Sequence, residues 1–70
     1  MTKLELAGEY MYSLYNHADH LARLVDNARH ALAGGAIADA IDWLEQAAQR
    51  PAPMIDMCLR DAIRSAKEAK

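Results

Sequence analysis

The 70-residue sequence predicts an all-α protein: an antiparallel helical hairpin, its second arm broken at Pro51, with two copies dimerising into a four-helix-bundle-like assembly. Three observations predict it. Leu4, Ala7, Met11, Leu14, Ala18, Leu21, Val25, Ala28 and Leu32 recur at alternating spacings of three and four, a heptad seam without a register slip. Gly34-Gly35 then gives a turn short enough to force an antiparallel neighbour. Beyond it, apolar residues return at helical spacing on both sides of Pro51 and Pro53. The competing architecture is a monomeric three-helix bundle in which the third helix folds back at the corner.

Helix 1 is expected over about residues 3–32. Thr2 and Glu5 have the spacing of a capping box, in which hydroxyl and carboxylate each take a free N–H. Met1 and Leu6 are placed for the accompanying hydrophobic staple. With Leu4 at heptad position a, the e positions read Gly8, Tyr15, Ala22, Arg29 and the g positions Tyr10, His17, Leu24, Ala31. A two-stranded coiled coil would place charge there, so this wide stripe suits a helix with neighbours on two sides. Met11, Leu14, Tyr15, Ala18, Leu21 and Val25 form the centre of the predicted core and dimer seam. Glu5, Glu9, Asp19, Arg23 and Asp26 make the outer face, with Tyr12 among them.

Arg29 and His30 suit the negative pole of helix 1, and Gly34 is the expected left-handed residue that ends it. Helix 2 follows over about residues 36–50, with Ile37, Ala40, Ile41, Leu44 and Ala48 as its expected core face. Trp43 lies to the side of that face, on a second strip with Ala36, Ala40 and Ala47. Proline disfavours helix just before it but fits a first turn, so Arg50 marks a corner or kink. Helix 3 then spans about residues 51–67, its core face Ile55, Cys58, Leu59, Ala62, Ile63 and Ala66.

So short a chain makes one domain, and a single core of this size rarely supplies more than about 3–5 kcal/mol. Cys58 is the one cysteine, which excludes an intramolecular disulfide, and leaves self-association as the common remaining staple. A formal charge of −2 gives no field for general nucleic-acid binding. No apolar run approaches a membrane span, and no signal-peptide pattern opens the chain, so the expected location is the cytoplasm.

No catalytic, cofactor or metal site is expected. His17 and His20 share a helix face, but zinc needs further ligands that nothing nominates. Cys58 falls on an apolar face, where a thiol stays protonated. Arg60, Arg64 and Lys67 form a basic stripe that is short and mixed with acids. What remains is a surface for another protein. Asp39, Asp42 and Glu45 on the outer face of helix 2, with Trp43 beside them, are the expected contact residues.

Asp39-Ala40-Ile41-Asp42-Trp43-Leu44-Glu45-Gln46-Ala47-Ala48 resembles the matching segment of a small quorum-sensing anti-activator family encoded by Pseudomonas phages. The resemblance covers this Ala-rich segment, and the family's connection between helices is longer than Gly34-Gly35. It implies an all-helical homodimer that binds the DNA-binding region of the host's quorum-sensing transcription activator and also a type IV pilus assembly ATPase. On that expectation the chain is a non-enzymatic inhibitor in the host bacterial cytoplasm. The alternative is a small helical assembly adaptor without an inhibitory role.

Overall fold

The computed structural model describes residues 2–69 and forms three helical segments, α1 (Lys3–Ala33), α2 (Ile37–Gln49) and α3 (Pro51–Glu68). The Thr2 cap forms: its Oγ1 accepts the Glu5 N–H at 3.1 Å. The return half differs from a full capping box, because the Thr2 hydroxyl donates to Glu5 Oε1 at 3.3 Å. Met1, and with it the expected staple, lies outside the described residues.

The left-handed residue after α1 is Gly35, with φ +82°, and not Gly34, whose φ is −84°. The helix continues to Ala33, which moves every cap position along the chain. Ala36 N–H donates to the Ala31 carbonyl at 2.8 Å and Gly35 N–H to the Leu32 carbonyl at 3.0 Å. These two bonds are a Schellman motif, and its crossing residue needs positive φ, which glycine supplies without strain. Ala36 is the residue before α2 and gives it no side-chain cap; Asp39 supplies an acid in the first turn.

The second arm bends at Arg50 and does not turn a corner. Arg50 N–H still reaches the Gln46 carbonyl at 3.3 Å, and Met54 N–H the Arg50 carbonyl at 3.4 Å. Between these bonds Pro51 and Pro53 offer no N–H, so the helix kinks where the ladder is missing its donors. The α3 segment then runs on beside the first half of α1. At the far end Lys3 Nζ lies 2.9 Å from Glu68 Oε2. The 13 residues of α2 and 18 of α3 together match the 31 of α1, and the molecule measures 51 × 15 × 14 Å. A third helix folding back on the second is therefore not the architecture.

The buried residues on the line of contact between the arms are mostly small. Ala7, Leu24 and Ala28 are buried on α1, and Ala40, Ala47, Pro51, Cys58, Ala62 and Ser65 on the second arm. Tyr10, Leu14, His17 and Leu21 fill the α1 line as half-buried residues. The wide stripe of α1 thus divides. Positions d and g face the second arm, while Leu4, Met11, Ala18, Val25 and Leu32 at a, with Tyr15 at e, stay exposed.

A larger correction falls on α2. The expected core residues Ile37, Ile41, Leu44 and Ala48 are exposed, and the strip Ala36, Ala40, Trp43 and Ala47 turns inward instead. In α3, Cys58 and Ala62 are buried as expected, but Leu59 and Ile63 are exposed. Helix axes approach more closely when alanines lie between them, and a continuous contact along both arms then selects the alanine strip. Among the described residues, no helix is long and apolar enough to cross a membrane.

Close packing makes the contact line intolerant of bulk. Ala28→Leu or Ala62→Leu should destabilise by about 1–3 kcal/mol, seen as a lower Tm, because each alanine is only 4% exposed. The Lys3–Glu68 pair makes a separate prediction. Its hydrogen bond, with the lysine's charge, holds the Glu68 carboxyl below the usual glutamate value. A lowered folded-state pKa stabilises above the unfolded pKa and is lost as pH falls through the lowered one. Both side chains are about half exposed, so the pair reports on end pairing more than on stability. An NMR titration should find Glu68 titrating below ordinary glutamates, and Lys3→Met should return it to the usual range.

Candidate interaction surface

Each arm carries its large apolar residues on one flank of the contact line. On α1 these are Leu4, Met11, Val25 and Leu32; on the second arm they are Ile37, Ile41, Leu44, Leu59 and Ile63. In two right-handed helices running antiparallel, positions displaced from the contact line in the same rotational sense emerge on the same side of the pair. Both flanks therefore form a single face. A groove shared by the arms confirms it near the turn, lined by Val25, Ala28 and Leu32 from α1 and by Ala40 and Leu44 from α2.

Among the described residues nothing covers that face, and its large side chains are between 45% and 72% exposed. Nothing polar divides it along α1 until Arg29, whose guanidinium turns aside to Asp26 at 2.9 Å. The opposite side of the molecule is polar. Its groove is lined by His20, Gln46, Gln49 and Arg50 over the buried Leu24. Met57 is exposed, and its place in the helical repeat puts it on this polar side, away from the apolar flank.

Asp39, Asp42 and Glu45 are all exposed, and among the described residues none of them forms an ion pair. The α2 segment contains no lysine or arginine, so its outward charge is uncompensated within the helix. Trp43 is half-buried on the inner strip. Its ring is shared with the contact line and is not a free anchor beside the three acids. By contrast the aspartates of α1 and α3 are engaged: Asp19 with Arg23 at 3.1 Å, Asp56 with Arg60 at 3.0 Å and Asp61 with Arg64 at 2.9 Å. The basic stripe on α3 is in this way largely neutralised by its own helix.

His17 and His20 do not converge, because His17 turns toward the contact line while His20 is exposed on the polar side. Among the described residues no group of three or more His, Cys, Asp or Glu side chains is placed to hold a metal ion. The apolar face itself was half-visible in the sequence. In the sequence the a, d, e and g positions of α1 read as one wide seam, with nothing to divide the inner line from the exposed flank. On the second arm the strip of Ala36, Ala40, Trp43 and Ala47 is legible in the sequence, but as a flank of the core face and not as the closer contact.

No family model, no curated protein and no solved structure matches the chain.

Proposed function

We propose that the chain is a non-enzymatic protein-binding module acting as a homodimer, two copies closing their apolar faces into a four-helix bundle. The observation that supports it is the continuous exposed apolar face. Its large side chains run from Leu4 to Leu32 along α1 and from Ile37 to Ile63 along the second arm, so the face extends over most of the length of the molecule. The inner line of alanines buries little area per residue, so a second copy supplies burial that the single chain lacks.

In this reading the bound target is a basic surface on a bacterial host protein, met by Asp39, Asp42 and Glu45. Three acids without an internal counter-charge steer a cationic partner and select its register. The likeness of the Asp39–Ala48 segment to phage quorum-sensing anti-activators favours a transcription activator's DNA-binding region as that surface, with a pilus assembly ATPase as a second target. The module then inhibits by occupying the surface its target needs, in the host cytoplasm.

Light scattering at micromolar concentration should give the mass of two 7.8-kDa chains. Val25→Asp with Leu44→Asp, both at exposed positions of one protomer, should reduce it to one chain and lower Tm. A wild-type mass of one chain, or a double variant that keeps its dimer and its Tm, overturns the bundle. For the target surface, Asp39→Arg with Asp42→Arg should abolish binding to the DNA-binding region while leaving dimer mass intact. Its helicity should survive a dipole penalty of about 0.3–1 kcal/mol per residue. Unchanged affinity of that double reversal at low salt places the contact elsewhere, and co-purification with scaffold proteins instead would favour the adaptor role.

A further inference from the structure

On the side of α1 turned away from the second arm, Gly8 sits inside a 31-residue helix. Glycine is the poorest helix former apart from proline, and an alanine would serve the helix better. Among the described residues nothing packs on Gly8. A Cβ built at Gly8 meets nothing within 4 Å, and the one glycine with positive φ is Gly35. The residue therefore leaves a flat, open place on the helix surface.

Gly8 shares a shallow groove with Glu5, Glu9, Tyr12 and Ser13. Tyr12 is 69% exposed, and Tyr15, at the edge of the apolar face, is 72% exposed. Tyr12 lies a helical turn beyond Gly8 and directly opposite the contact line, so neither the inner contact nor the apolar face covers it. Glu5 and Glu9 are exposed and, among the described residues, form no ion pair. An aromatic face, two carboxylates and a bare stretch of backbone thus adjoin one another.

We propose that this groove binds an arginine-bearing segment of a partner protein, its backbone passing over Gly8 and a guanidinium stacking on Tyr12. Glu9 and Glu5 take the guanidinium's N–H groups. Arginine is selected over lysine because its planar fork both stacks on an aromatic ring and pairs with a carboxylate, which a point-charge ammonium does less well. The two negative charges disfavour a nucleic-acid phosphate at the same place. The inference rests on the reading of the chain as a protein-binding module, but on a surface separate from the α2 acids.

The test is amide NMR of the full chain titrated with nona-arginine and, separately, nona-lysine. The chain has 3 glycines, whose amides report from two ends: Gly8 from the groove, Gly34 and Gly35 from the turn beside α2. Gly8 should shift saturably, with arginine binding tighter than lysine by about two- to five-fold. Tyr12→Ala should remove that preference, and Gly8→Leu should remove the Gly8-site shifts of its neighbours. Gly8→Ala should raise Tm while weakening nona-arginine, a pair of opposite signs that a purely structural glycine would not give. Shifts confined to Gly34, Gly35 and α2, equal affinity for the two peptides, or an unaltered Tyr12→Ala each overturn the proposal. Asp39→Arg with Asp42→Arg should leave the Gly8 response in place, so failure of the α2 contact is read separately.

Discussion

The structure depends on how closely α1 and the second arm approach. Alanines at positions 7, 28, 40, 47 and 62, with Cys58 and Ser65, let two helices lie side by side along the length of a 51-Å molecule. Close approach at these positions fixes the register, since a larger group at any of them would push the axes apart, while Leu24 and the half-buried Tyr10, Leu14, His17, Leu21 and Trp43 fill the line between them. Among the described residues it also leaves Leu24 as the one large aliphatic side chain buried there. The same contact that holds the arms together therefore displaces the bulk of the hydrophobic residues to one flank. Geometry of the inner contact and composition of the outer face are two views of a single choice.

Length matching follows from that choice. An uninterrupted second helix could run alongside α1, yet the chain places Pro51 and Pro53 near its middle. The kink leaves Pro51 fully buried against α1 and lets α3 take a slightly different direction while keeping its small residues on the line. At the open end the Lys3–Glu68 pair joins the first turn of one helix to the last turn of the other. Opposite, the Schellman turn at Gly35 closes the arms within three residues, 34–36. Both ends are thus defined by local chemistry, and the middle by packing.

Much of this was legible in the sequence. Thr2 before Glu5, the paired glycines and the two prolines each carry a local steric or hydrogen-bonding signal, and each marks a boundary close to where it occurs. The faces were harder. Ranking residues by hydrophobicity points to Ile37, Ile41 and Leu44 as the core of α2, whereas packing selects Ala36, Ala40 and Ala47. Transfer free energy and closeness of approach compete at these positions, and a sequence displays the first more plainly than the second. Trp43 went with the alanines because its position in the repeat, not its size, decides which way it points. The acids of α2 are legible as exposed charges; that none of them pairs with a cation among the described residues depends on where the other helices place theirs.

The separation of small residues from large ones has a consequence for how such a chain can change over time. Substitutions on the apolar flank alter the exposed surface while leaving the seam between the arms untouched. Substitutions on the seam are filtered by sterics whatever the molecule binds. Drift on one surface is therefore decoupled from purifying selection on the other. A lineage of such proteins could exchange associates quickly while its backbone hardly moves, until little sequence remains in common beyond a spaced row of alanines.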